Sequence, residues 1–244
     1  MNDFSRPLEL LVCDMAGTTV RDDGVVERAF FRAAEATAVL GSTPWDEALD
    51  YVRETMGQSK LDVFTHLAGG DTAKAAGATV EFERAYADLI ANGGVEAMPG
   101  AEALFDWARS VGVKVALTTG FSPKTRDAIL DDLGWQSKVD LVLSPADVGR
   151  GRPAPDLVLT ALIRSETSSV ECVAVVGDTA SDMESGRRAG AGLVVGVTSG
   201  AHDRDTLTAA GADAVLANVS ELHSQLSSAR DVGEDLVALE TLRA

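Results

Sequence analysis

The chain has 244 residues, 45% of them hydrophobic and 24% charged, enough for a full α/β core plus a smaller inserted unit. Its formal net charge of -17, from 21 Lys and Arg against 38 Asp and Glu, argues against nucleic acid and anionic membrane surfaces as partners. No apolar run approaches membrane-spanning length, the first seven residues lack an apolar signal core, and Cys13 and Cys172 fall in predicted buried strands, so the expected setting is a reducing cytoplasm.

The run Leu10-Leu11-Val12-Cys13-Asp14 is apolar and ends abruptly in a carboxylate, and Met15-Ala16-Gly17-Thr18-Thr19 follows as a turn. That pattern predicts a buried parallel strand with an aspartate at its carboxyl end, where open α/β sheets bind ligands. Helical periodicity then takes over. The expected helices cover residues 26–38, about 44–55 with Pro44 at the first helical position, 59–67 and 80–90. No strand is expected between Asp22 and Gly94. Residues 22–94 therefore read as a helical cap inserted into a core made of residues 1–21 and 95–244, with hinges near Asp22-Asp23-Gly24 and Gly93-Gly94.

From Ala101 onward strands and helices alternate. Strands are expected at 113–117, 141–143, 170–176, 193–197 and 214–216. Helices are expected at 123–133, 155–164 and 181–189, with a short one from Val219. The tail from Asp231 has helical spacing at Leu236, Leu239 and Leu242. Repeated β-α units imply an α/β fold, a doubly wound parallel sheet with right-handed crossovers, carrying the helical cap.

Three of these apolar strands lead into Asp14, Thr118 and Asp178, which a parallel sheet places on one edge. Arg152 stands in Gly149-Arg150-Gly151-Arg152-Pro153, just before a helix. Two carboxylates can share Mg²⁺ and bridge it to a phosphoryl group, while a hydroxyl and a guanidinium hold the remaining oxygens. Asp182, one turn beyond Asp178, can ligate the metal, hold a metal-bound water or orient Arg152. Each motif alone is weak; their joint order at strand ends is specific.

This set resembles the haloacid dehalogenase superfamily of phosphoryl-transfer enzymes over nearly the whole chain, cap included. The resemblance implies that Asp14 is a nucleophile forming an aspartyl-phosphate, and that Asp14, Asp178 and the Ala16 carbonyl hold Mg²⁺. It also implies that Thr118 binds the phosphoryl group. A narrower resemblance is to the phosphonoacetaldehyde hydrolase (phosphonatase) branch. There the usual Asp-x-Asp becomes Asp-x-Ala-Gly-Thr-Thr, as in Asp14 to Thr19, and the cation is the Arg of Gly-Arg-Pro, as in Gly151-Arg152-Pro153. Thr118-Thr119-Gly120, Gly177 to Met183 and Met56-Gly57-Gln58-Ser59-Lys60 match the same branch. By that match Lys60 is a Schiff-base lysine, with Met56, Gly57, Thr119 and Gly120 around a small phosphonate or phosphate substrate. A cap-mediated homodimer is implied as well. Three positions depart from the branch: Val63 replaces a histidine, Phe121 a tyrosine and Gly24 a cysteine.

The chemistry makes Ala16 and Lys60 mutually consistent. Breaking a C–P bond expels a carbanion unless an electron sink accepts the pair. A protonated imine on Lys60 is such a sink, and no alcohol oxygen then needs an acid at position 16. To add to a carbonyl, Lys60 must be partly neutral, and Leu61, Val63 and the closing cap are expected to desolvate it. His66 is expected at the surface. The expected function is Mg²⁺-dependent C–P cleavage of phosphonoacetaldehyde or a related carbonyl phosphonate. The alternatives are a phosphate-monoester phosphatase of the phosphoglycolate phosphatase kind and a catalytically silent binding protein.

Overall fold

A computed structural model describes residues 7–93 and 95–231. In chain order the elements are β1 (Leu10–Asp14), α1 (Val25–Thr37), α2 (Trp45–Glu54), α3 (Lys60–Leu67), α4 (Thr72–Gly93), α5 (Ala101–Ser110), β2 (Lys114–Thr118), α6 (Pro123–Leu133), β3 (Leu141–Leu143), α7 (Asp156–Arg164), β4 (Val173–Gly177), α8 (Ala180–Ala189), β5 (Leu193–Val197), α9 (Arg204–Ala209), β6 (Ala214–Leu216) and α10 (Val219–Asp231). The strands form one sheet in the order β3-β2-β1-β4-β5-β6, with every pairing parallel. The order reverses beside β1, which sits mid-sheet and is buried along its whole length. The crevice for a ligand in such a sheet lies at that reversal, outside the carboxyl ends of the strands.

Alternation along β1 divides the core. Leu10 and Val12 face a cluster with Leu157, Val158 and Ala161 of α7, whereas Leu11 and Cys13 face a larger one with Leu104 and Phe105 of α5. That larger cluster continues into the cap. Helices α1 and α3 both pack on α4. A series of rings, Phe30, Phe64, Phe82 and Phe121, links the cap interior to the loop after β2 at successive centroid distances of 5.5, 6.3 and 6.3 Å. The two connections between core and cap are tied side by side: Arg21 donates its N–H to Glu96 at 2.9 Å and Met98 donates to Thr19 at 2.8 Å.

Several sequence expectations are corrected. Residues 170–172 form a 3-10 turn started by the Ser169 hydroxyl, so β4 begins at Val173, and Cys172 is buried in that turn rather than in a strand. Pro44 is the extended residue preceding α2, not its first helical residue. Helix α4 runs 22 residues instead of 11, because Asp71 accepts the N–H groups of Ala73 and Lys74 at 3.1 and 3.0 Å and starts it a full two turns early. Helices α5 and α9 were not expected, and α10 is 13 residues long. The tail from 232 and the Gly94 half of the second hinge lie outside the described residues. Among the described residues, no helix is long and apolar enough to cross a membrane.

Candidate active site

The register places Asp14 beside Thr118, and Cys13 beside Val176, so Asp14, Thr118 and Asp178 meet at one sheet edge. Asp178 follows β4 immediately and is buried. Its Oδ1 accepts the Thr18 hydroxyl at 2.9 Å and its Oδ2 accepts the Ala201 N–H at 2.8 Å. A Cβ at Gly200 would stand 2.0 Å from Asp178 Oδ2, so only glycine fits beside that carboxylate. Helix α8 starts with a capping box in which Thr179 and Asp182 bond reciprocally. The same Asp182 uses its other oxygen on Arg152 Nη1, which also meets Asp14 Oδ1 at 2.6 Å.

Ligand atoms of Asp14, Asp178 and Asp182 lie within 4.8 Å of one another, all buried. Three carboxylates facing one guanidinium are short of positive charge, which a divalent cation with oxygen ligands would supply. Asp14 and Asp178, which line one cavity with Ala16, offer the oxygen ligands that fit a cation such as Mg²⁺. Asp182 directs one oxygen to Thr179 and the other to Arg152. Burial pushes Asp14 well above the usual carboxylate range, with Arg152 opposing, and Asp178 is pushed up to about 6 by burial and then by Asp182. A cation at this point favours the ionised forms of both. Arg152 is buried with Nε and Nη2 lacking any partner, two donors left over for an anion's oxygens.

A cavity of about 260 Å³ opens from this cluster toward the cap. Asp14, Ala16, Met56, Gly57, Thr119 and Gly120 line it, and so does Lys60 from the first turn of α3. Thr118 itself is buried at the strand end, and Thr119 Oγ1 accepts the Phe121 N–H at 3.2 Å to shape the loop. The cap is closed on this loop: a Cβ at Gly120 would stand 2.4 Å from the Gln58 carbonyl oxygen. Lys60 Nζ lies 5.6 Å from the Phe82 ring centroid and 5.8 Å from that of Phe121. Desolvation lowers Lys60 to about 8; Asp22 opposes this and Arg152 adds to it. These two rings stand beside the buried amine. Leu61 is 45% exposed, contrary to expectation, whereas Val63 is buried in the cap core. His66 is exposed and stacks on Tyr51 at 4.0 Å, away from the site.

Sequence reasoning missed Asp22, Phe82, Arg53 and the loop 199–202. Asp22, Arg53, Ser199, Gly200 and Ala201 line the cavity. The loop also carries His202, whose Nδ1 accepts the Ala180 N–H at 2.8 Å while its other ring nitrogen meets the Arg53 carbonyl at 3.0 Å. A carboxylate just ahead of α1 was the available signal for Asp22. Nothing local marks Phe82, since a phenylalanine on a buried helix face is ordinarily core.

A doubly wound parallel sheet, an acidic strand-end cluster with a buried arginine and a cap lysine over them define a hydrolase class, and the chain belongs to the haloacid dehalogenase-like hydrolase family, whose model matches residues 8–190. Within it the chain is similar to phosphonoacetaldehyde hydrolase of Syntrophobacter fumaroxidans, 28% identical over 234 residues, which cover 88% of this chain and 80% of that protein. Among solved structures, a hydrolase from Pseudomonas syringae superposes with a TM-score of 0.79 at 25% identity, covering 91% of this chain and 99% of that one. A phosphonoacetaldehyde hydrolase like protein from Oleispira antarctica shares the fold, with a TM-score of 0.77 at 22% identity and coverage of 97% and 95%.

Proposed function

We propose that this hydrolase cleaves the C–P bond of phosphonoacetaldehyde or a close carbonyl phosphonate, with Asp14 as nucleophile and Lys60 as the imine-forming amine. The observation that carries this reading is Lys60: its ammonium stands over the Phe82 and Phe121 rings, lowered to about 8, in the cavity that Asp14 also lines. Position 16 is alanine, so the residues are arranged for an electron sink and not for protonating an alcohol.

The neutral Lys60 amine adds to the aldehyde carbon, and the carbinolamine hydroxyl takes up a proton and leaves as water as the nitrogen lone pair forms the C=N bond, giving a protonated imine. Asp14 then attacks phosphorus, and the electron pair of the C–P bond moves through carbon to the imine nitrogen, leaving an enamine. Arg152 Nε and Nη2 hold phosphoryl oxygens through the transfer, and Thr118 stands at the same strand edge to do so. Water then hydrolyses the aspartyl-phosphate, and the enamine takes a proton at carbon before hydrolysis frees acetaldehyde and Lys60. Asp14 and Asp178 would hold Mg²⁺, which would supply positive charge to offset that of the transferring phosphoryl group. Residues 22–94 act as the cap that closes this cavity to water, hinged at its two tied connections.

The test is Mg²⁺-dependent release of phosphate and acetaldehyde from phosphonoacetaldehyde, beside a panel of phosphate monoesters. Cleavage that vanishes in Lys60→Ala is the expected result. Ester hydrolysis that survives Lys60→Ala, without phosphonate cleavage, would make the protein a phosphatase, because the metal and phosphoryl half of the site does not depend on Lys60.

A further inference from the structure

The proposed imine chemistry needs a group that gives a proton to the departing carbinolamine oxygen and takes one back during hydrolysis. Four carboxylates line the cavity: Asp14, Asp22, Glu27 and Asp178. Asp14 and Asp178 belong to the phosphoryl end. Glu27 is clamped by Arg53 through two bonds, at 2.8 and 3.2 Å. Asp22 remains. Its Oδ1 is fixed by the Val26 N–H at 3.1 Å, at the start of α1, which aims the carboxyl without neutralising it. Asp22 and Lys60 line the same cavity, and Asp22 is the carboxylate that acts most strongly on the Lys60 amine.

We infer that Asp22 is the proton-transfer residue for imine formation and hydrolysis at Lys60. The inference rests on the phosphonatase reading above and deepens it. As an acid, Asp22 gives its proton to the carbinolamine hydroxyl while the C–O bond breaks and the nitrogen lone pair forms the C=N bond; water leaves and Asp22 is left as carboxylate. As a base, it takes a proton from the water that adds to the imine carbon after C–P cleavage, returning to the acid. Burial raises the Asp22 carboxyl, in keeping with an acid that retains its proton longer than a surface aspartate. The charged and titratable groups around the pair are Asp14 and Arg152 on the Lys60 side and Arg28 and Tyr86 on the Asp22 side.

The experiment is borohydride trapping of the full-length protein with phosphonoacetaldehyde, read by intact mass and by the pH dependence of the trapping rate, in wild type, Asp22→Asn, Asp22→Glu and Lys60→Ala. Asparagine keeps an oxygen for the Val26 N–H, so α1 keeps its anchor. The expected result is a Lys60-dependent adduct whose formation slows at least about tenfold in Asp22→Asn, the scale of a lost acid–base group. The variant also loses one limb of the pH profile, and Asp22→Glu restores the limb. An adduct that forms at the wild-type rate with an unchanged profile in Asp22→Asn overturns the inference and leaves the phosphonatase reading standing. A wild-type protein that gives no Lys60-dependent adduct overturns the phosphonatase reading itself.

Discussion

The two ends of the cavity are built in opposite ways. At the phosphoryl end, each group stands on or just beyond a strand or at a helix start, and hydrogen bonds from neighbouring loops hold it: Thr18 and Ala201 on Asp178, Thr179 on Asp182. At the lysine end, Lys60 comes from one cap helix, its ring neighbours from another and from a core loop, and Asp22 from the crossing between core and cap. The first end is set by local structure on a rigid sheet. The second is assembled from segments far apart in sequence that meet where the helices of residues 25–93 lie against the loop after β2.

Perturbations should separate the two ends. Arg152→Ala touches the groups on which both depend, leaving Asp14 and Asp182 buried without their cation. Loss of that ion pair is expected to cost about 3–5 kcal/mol, read by urea unfolding, and to abolish turnover. Lys60→Met keeps the fold and the phosphoryl end. It should eliminate phosphonate cleavage while leaving Mg²⁺ binding, measured calorimetrically, within about twofold of wild type, since a neutral side chain removes no metal ligand. In the wild type, the unprotonated amine fraction grows as pH rises through about 8, so the trapping rate of Lys60 should climb across that range and level off above it. Phe121→Ser admits water beside the ammonium and moves Lys60 back toward its ordinary range. The rising limb should then shift up by about one pH unit, and an unshifted limb would show that the rings do not desolvate the amine. The smallest effect is expected far from either end. Asp71→Ala removes the cap of α4 and should lower stability by about 1 kcal/mol, seen as a small fall in Tm with catalysis unaltered.

The same contrast explains what could be read from the chain. The placement of Asp14, Thr118 and Asp178 was legible because a buried strand is a short apolar run, and the residue at its end stands out; Arg152 was picked out instead by its Gly-Arg-Pro setting ahead of a helix. Parallel topology then gathers the strand ends without further information. For Asp182 the sequence left three roles open, and its bonds to Thr179 and its contact to Arg152 are details that only the folded chain brings together. Leu61 and Val63 were natural choices to desolvate Lys60, being adjacent in sequence. On a helix, however, the next residue turns away from its neighbour, and here Leu61 faces solvent while Val63 lies in the cap interior. Phe82 and Phe121 come from 22 and 61 residues further along, a distance no local pattern spans. The start of α4 was missed for a similar reason: 72–79 holds small residues and Gly77, so its apolar stripe is faint, and its helicity rests on the Asp71 cap and on packing against α1 and α3.

The link through His202 carries a consequence for how this cavity can diversify. Because Nδ1 accepts from Ala180, the ring proton resides on Nε2 and is donated to the main-chain carbonyl of Arg53. A bond to main chain is indifferent to the side chain it passes beneath. The residues at the cavity mouth, Arg53 and the Glu27 it grips, can therefore be exchanged for others that greet a different substrate, while the fastening of α2 to the core stays as it is.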